Sequence, residues 1–173
     1  GTEIDLAAGV DITASGGNVD LNNTVAQIDL SGTTDTNTIS ASGSVELANV
    51  VDTGTTTATS PVELVVTAGT GVTLGTVTLS NTLDVDFDTA TGTSTLNAGS
   101  LSAGTIEVDG VGTNDVMNFG STVVSTVAGV TIGNAGTVDL DGDVTGATTV
   151  TISDVGTEID LAAGVDITAS GGN

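Results

Sequence analysis

The chain contains no lysine, arginine or histidine, and no cysteine, tryptophan or tyrosine. Its 22 acidic residues therefore have no basic partner, and the formal net charge is −22. Without a basic patch, the protein lacks the electrostatic footprint of nucleic-acid binding, so we expect no nucleic-acid partner. Anionic membrane surfaces would repel it. No apolar stretch approaches the ~18 residues of a membrane span, so we expect no membrane insertion.

The same absences leave few groups for catalysis. A serine or threonine nucleophile needs a base, and the chain has neither histidine nor lysine to serve as one. Carboxylate pairs can act alone, as in glycosidases. Here acids alternate with apolar residues throughout, so close pairs are expected from the pattern itself. We therefore expect no enzyme activity and no required cofactor.

The abundant residues are those of β-structure. Apolar residues make up 38% of the chain, threonine is frequent, and 25 glycines supply turns. Short strings alternate apolar, polar and apolar residues, for example Ile4-Asp5-Leu6, Val45-Glu46-Leu47 and Val138-Asp139-Leu140. Such strings predict strands with two side chains inward and one outward. No 3.6-residue period competes with them, so we expect essentially no helix.

The spacing of these strings predicts the architecture. Near the carboxyl end the expected strands start at Val130, Val138, Val144, Val150, Ile159 and Val165. Grouped in threes, they give coils of roughly 20–24 residues, which is typical of a three-faced parallel β-solenoid. We expect a right-handed, all-β solenoid with Val138, Leu140, Ile159 and Leu161 on its inward ladders. Tandem immunoglobulin-like sandwiches are the alternative, but these usually seat a large aromatic or a disulfide between their sheets.

The first eighteen residues, Gly1–Asn18, return unchanged as Gly156–Asn173. The offset is 155 residues. We interpret 1–173 as a single solenoid segment of a tandem array, in which 1–155 is one full repeat and 156–173 begins the next. Seven or eight coils would fill such a repeat.

Three threonine-rich stretches lack the alternation and predict loops between strands. They are Ser31–Thr38, Thr53–Pro61 and Asp88–Thr95. Pro61 cannot donate to a strand ladder and stands where the second loop would return to the strand Val62-Glu63-Leu64.

Two acidic runs are candidate Ca²⁺ sites, because this cation prefers six to eight oxygen ligands. The candidate ligands are Asp84, Asp86 and Asp88 in one run and Asp139, Asp141 and Asp143 in the other. Neither run is an EF-hand loop. A solvated acidic face without bound metal is the alternative interpretation. The segment Gly110–Asp115 is similar to the glycine-aspartate Ca²⁺ repeats of secreted toxins, but it occurs once.

The strings Gly129–Ile132, Gly136–Leu140 and Gly156–Leu161 resemble the degenerate coils of filamentous-haemagglutinin-like and autotransporter-passenger proteins of bacteria. This resemblance implies a right-handed β-helix that is secreted or displayed at the cell surface, and it implies no particular ligand. It covers the whole chain by pattern rather than by a signature motif.

These observations favour a structural segment of a giant extracellular fibre. Its partner would be itself, through end-to-end stacking or covalent continuation of the array, with divalent cations as further candidates. An adhesin that binds glycans, or host or mineral surfaces, through the threonine-rich loops is the alternative. An ice-binding solenoid is a third reading, suggested by Thr76-Val77-Thr78 and Thr149-Val150-Thr151.

Overall fold

A computed structural model describes residues 3–22, 27–30, 36–52, 64–88 and 92–171. These residues form twenty-two short strands and no helix. Consequently, none of them belongs to a helix long and apolar enough to cross a membrane. Each of the first nineteen strands pairs in parallel with the strand three places later, which produces three sheets.

The strands follow one another around these three sheets in strict rotation. Sheet 1 contains β1 (Glu3–Leu6), β4 (Gln27–Leu30), β7 (Asn49–Val51), β10 (Val77–Thr78), β13 (Leu101–Ala103), β16 (Val123–Ser125), β19 (Val144–Gly146) and β22 (Ile167–Ala169). Sheet 2 contains β2 (Asp11–Ala14), β5 (Asn37–Ala41), β8 (Leu64–Ala68), β11 (Thr82–Phe87), β14 (Thr105–Asp109), β17 (Gly129–Gly133) and β20 (Thr149–Ser153). Sheet 3 contains β3 (Val19–Leu21), β6 (Ser44–Leu47), β9 (Gly71–Leu74), β12 (Thr95–Ala98), β15 (Val116–Phe119), β18 (Thr137–Leu140) and β21 (Glu158–Leu161).

Three consecutive strands make one coil, so the described strands form seven coils and the first strand of an eighth. Stacked positions in sheet 1 are separated by 21 to 27 residues, and by about 23 on average. The predicted three-faced parallel β-solenoid is thereby confirmed. The sandwich alternative is wrong, because all strand pairs among the described residues are parallel. The right-handed sense stays a prediction.

The interior is a set of apolar ladders along the solenoid axis. Val138 stacks on Ile159 and Leu140 on Leu161, as the alternation predicted. The two phenylalanines fit this narrow interior because each stacks on a small residue: Phe87 lies beside Ala68, and Phe119 beside Ala98. Both rings are almost completely buried. Within a column, the small volume of the alanine thus offsets the large volume of the adjoining ring.

The corners between sheets require special backbone. A side chain at Gly69 would collide with the backbone carbonyl of Ser42 in the coil beneath, so only glycine fits there. After sheet 2, Asn134 and Asp154 both have a φ of 53°. Asparagine and aspartate tolerate this left-handed conformation better than other side chains do.

The structure corrects several predicted boundaries. Asn37 and Thr38 belong to β5 and Thr95 begins β12, so two of the predicted loops are shorter than expected. The side-chain oxygen of Asn37 accepts a hydrogen bond from the backbone N–H of Val10, which ties this polar start of the strand to the preceding coil. The last strand begins at Ile167 rather than at Val165, whose N–H donates to the Ala162 carbonyl in a turn.

The remaining parts of the predicted loops, at 31–35, 53–60 and 89–91, lie outside the described residues, as do Pro61, Val62 and Glu63.

The predicted number of coils was slightly too high. The duplicated strand β21 is the twentieth after β1, so 155 residues span six and two-thirds coils rather than seven or eight. Several stacked positions in the first half of the chain are 27 residues apart, for example Val50 and Val77, and these long coils lower the count.

Candidate functional site

The outer faces of the three sheets carry most of the charge. Acids alternate with inward apolar residues, so their carboxylates project from the solenoid. Since the sequence contains no basic side chain, none of them has a side-chain ion-pair partner. Two carboxylates among the described residues are exceptions to this exposure: Asp29 is 7% exposed and Asp115 is 1% exposed.

An acidic patch of four carboxylates lies on sheet 2, where β11 and β14 stack. Asp84 is in register with Glu107, and Asp86 with Asp109. Together with Val108 and Thr131, these residues line a shallow cleft. Burial, and then the charge of Asp109, raise the pKa of Asp86 above its ordinary value. We call these four carboxylates the sheet 2 patch.

The sheet 2 patch contains two of the predicted Ca²⁺ ligands. Asp84 and Asp86 project from β11, and Asp88 follows the strand as an exposed residue. The backbone N–H of Asp88 donates to the Ala68 carbonyl at 2.9 Å. Glu107 and Asp109 were not among the predicted ligands, because only the register between neighbouring coils brings them to Asp84 and Asp86. The side-chain amide of Asn134 donates to Asp109 at 2.8 Å.

The second predicted run lies elsewhere, at the end of a strand in sheet 3. Asp139 projects from β18, where it stacks between Asn118 and Asp160. Asp141 and Asp143 follow in the exposed turn. One carboxylate oxygen of Asp143 accepts the backbone N–H of Asp166 at 2.9 Å. The two acidic runs therefore lie on different sheets and form no joint site.

A third acidic group, which the sequence interpretation missed, comprises Glu3, Asp5 and Asp29. One carboxylate oxygen from each lies within 4.8 Å of the others, and no other group of three acids among the described residues is as close. A hydrogen bond to Asp5, followed by the negative charge of Asp5, raises the pKa of Glu3. The available signal was the similarity of Glu3-Ile-Asp5-Leu to Gln27-Ile-Asp29-Leu one coil later.

Asp115 has a structural role rather than a free carboxylate. Its Oδ1 accepts the backbone N–H of Ser94 at 2.9 Å. Its Oδ2 accepts those of Val111 at 2.8 Å and Gly112 at 3.2 Å. The segment Gly110–Asp115, which is similar to toxin Ca²⁺ repeats, therefore uses this carboxylate to hold a corner between two coils.

The two ends of the described coil stack expose sheet edges. At the carboxyl end, β20, β21 and β22 each have a partner on one side only. Ile159, Leu161 and Ile167 are consequently 45%, 46% and 44% exposed, although their positions continue the buried interior ladders. At the amino end, β1, β2 and β3 likewise have one partner each. Such edges are templates for further strand pairing.

Comparison with protein-family models, with characterised proteins and with solved structures finds no match to this chain.

Proposed function

We propose that this chain is a segment of an extracellular fibre, in which the solenoid serves as a mechanical shaft. The observation that carries the proposal is the open edge formed by β20, β21 and β22, of which β21 and β22 lie within the duplicated part of the sequence. A continuing array supplies the strands that this edge lacks. The shaft then grows by adding coils.

The internal bonding suits a shaft. Parallel pairing directs the hydrogen bonds between coils along the solenoid axis, and each described strand takes part in it. The apolar ladders run in the same direction through the interior. Since the chain has no cysteine, lysine or tyrosine, disulfide, lysine-based isopeptide and dityrosine cross-links are excluded. Its rigidity comes from hydrogen bonds and packing.

The surface chemistry suits an exposed position outside the cell. A net charge of −22 keeps neighbouring fibres soluble and apart. The absence of lysine and arginine removes the cleavage sites of trypsin-like proteases. Stacked acids repel by about 1 kcal/mol per pair at ~4 Å in water. High salt screens such repulsion within several ångströms. A saline environment or bound divalent cations, Ca²⁺ above all, therefore belong to the proposal.

The resemblance to filamentous-haemagglutinin-like and autotransporter-passenger coils supports secretion or surface display. The adhesin alternative stays a prediction, because most of its threonine-rich segments lie outside the described residues. An ice-binding surface would require the threonines of both strings to lie on one flat face of the solenoid. Thr78 lies on sheet 1, whereas Thr149 and Thr151 lie on sheet 2, so these threonines do not share a face.

The direct test of this function is immunogold electron microscopy of intact source cells with antibodies raised against residues 1–173. We expect gold particles along filaments outside the cell envelope. Cells treated with pre-immune serum are the control. Labelling confined to the cell interior, or to globular particles without filaments, would contradict the proposal.

A further inference from the structure

The two copies of the duplicated segment lie on different faces of the solenoid. In the first copy, Glu3–Leu6 forms β1 on sheet 1 and Asp11–Ala14 forms β2 on sheet 2. In the second copy, Glu158–Leu161 forms β21 on sheet 3 and Ile167–Ala169 forms β22 on sheet 1. Identical sequence thus occupies faces that differ by one position around the coil.

The cause is the number of strands in one repeat. Twenty strands separate the start of the first copy from the start of the second. Because a coil uses three strands, twenty strands complete six coils and two of the three faces of a seventh. Each new repeat therefore begins one face earlier than the repeat before it.

We infer that successive 155-residue units of the fibre are related by a screw operation that shifts them by one face and advances them by about 32 Å along the axis. This inference rests on the proposed fibre. Three units comprise sixty strands, or twenty complete coils, after which the sequence returns to its original face. The fibre repeat is then three units, or about 96 Å.

The structure specifies the junction that produces this screw. On one side, β21 pairs with β18, Thr137 being in register with Glu158. The identical strand β1 pairs on its other side with β4, Glu3 being in register with Gln27. The open edge of β21 therefore fits the β4 strand of the next unit. By the same reasoning, the open edges of β20 and β22 fit the β3 and β5 strands of the next unit.

This junction completes the interior ladders. Ile159 and Leu161 are the counterparts of Ile4 and Leu6, which stack against Ile28 and Leu30. Ile28 and Leu30 have neighbouring coils on both sides and are completely buried. We expect the same environment for Ile159 and Leu161 once the next unit is added. Covering these half-exposed side chains removes apolar surface from water and so stabilises the junction.

The junction also indicates covalent continuation of the chain. When two separate copies of residues 1–173 meet in this register, residues 156–173 of one and residues 1–18 of the other require the same place. One of the two segments would have to leave the solenoid before the copies could join. A continuous chain contains the segment once per junction and meets no such conflict.

The screw determines what the surface of the fibre offers to its surroundings. The sheet 2 patch of Asp84, Asp86, Glu107 and Asp109 appears on a different face in each successive unit. The sheet 2 patches of successive units therefore do not line up along one face of the fibre. A partner that recognises this patch would therefore find it on all three sides, and at intervals of three units on any one side.

A labelled tandem chain tests the inference. The chain would comprise residues 1–173 followed by five further copies of residues 19–173, with Glu107→Cys in every unit. Glu107 is exposed on β14, and the natural sequence contributes no other thiol. After coupling to a maleimide gold cluster, the labels would be located along individual rods by electron microscopy. The screw predicts that their lateral positions repeat with every third label.

A same-face control is available in the chain of residues 1–173 with Asp11→Cys and Thr151→Cys. These exposed residues lie in one outward ladder of sheet 2, six coils apart, and both of their labels should lie on the same side. Rods whose labels all lie on one side, as in this control, would overturn the screw but leave the fibre intact. Failure of the tandem chain to form rods would overturn the fibre and the screw together.

Discussion

Replacement of Ile132 by alanine tests the energetic role of the interior ladders. Ile132 is completely buried in β17 and stacks between Val108 and Ile152. The change removes three carbon atoms, which accounts for about 2.4 kcal/mol of transfer free energy. The cavity adds to this loss, since the backbone ladders on both sides limit collapse. We expect the free energy of unfolding to fall by about 3–4 kcal/mol.

Two matched variants show whether position along the solenoid determines this loss. Ile159→Ala changes the same residue type in the last coil, where the side chain is 45% exposed and has a neighbouring coil on one side only. We expect a loss of about 1 kcal/mol there. Thr131→Ala changes the exposed residue next to Ile132 and should alter stability by no more than about 0.5 kcal/mol.

Urea unfolding followed by far-ultraviolet circular dichroism is the suitable assay, because the chain has no tryptophan or tyrosine for fluorescence. The slope of the transition must be compared among variants, since stacked coils can unfold in separate units. The stabilising role of the interior ladders would be refuted if Ile132→Ala and Thr131→Ala shifted the midpoint of the urea transition equally. It would also be refuted if Ile159→Ala were the most destabilising of the three variants.

Three further predictions concern charge. Val138→Asp buries an unpaired carboxylate, so the free energy of unfolding, measured in urea, should fall by several kcal/mol. Asp139→Asn, at the next residue, should leave the stability unchanged or raise it. Equal effects of the two changes would contradict the inward position of residue 138 and the outward position of residue 139. Because the folded state raises the pKa of Asp86, folded protein takes up protons more readily than unfolded protein, and the free energy of unfolding should rise as the pH falls from 7 towards the ordinary pKa of aspartate. Asp86→Asn should reduce that rise. If the variant showed the same dependence of stability on pH, the raised pKa of Asp86 would be contradicted. If Asp139, Asp141 and Asp143 bind Ca²⁺, millimolar CaCl₂ should raise the melting temperature more than NaCl of equal ionic strength does. The double change of Asp141→Asn and Asp143→Asn should remove much of this difference. Equal stabilisation by both salts would mean that these residues form only a solvated acidic face.

The alternation of residues was sufficient to predict the type of fold and the inside–outside orientation of the clearest strands. Strings such as Val138-Asp139-Leu140 carry their orientation in three residues, because successive side chains of a strand point to opposite faces. Polar starts of strands were harder. Asn37 and Thr38 read as loop residues, yet they extend β5 beside the preceding coil.

The face on which a strand lies could not be predicted in this way. It depends on the number of all preceding strands, and a single miscounted strand rotates everything after it by one face. The acidic group of Glu3, Asp5 and Asp29 was missed for the related reason that its members meet only through the register of two coils. The sheet 2 patch required the same register between β11 and β14.

The length of tandem chains tests the central claim most directly. Chains of two, four and six 155-residue units would be imaged as single particles by electron microscopy, and the contour length would be plotted against the number of units. A continuous solenoid of six and two-thirds coils per unit predicts smooth rods of constant width that lengthen by about 32 Å per unit. Beaded particles, or an increment about twice as large, would contradict the account.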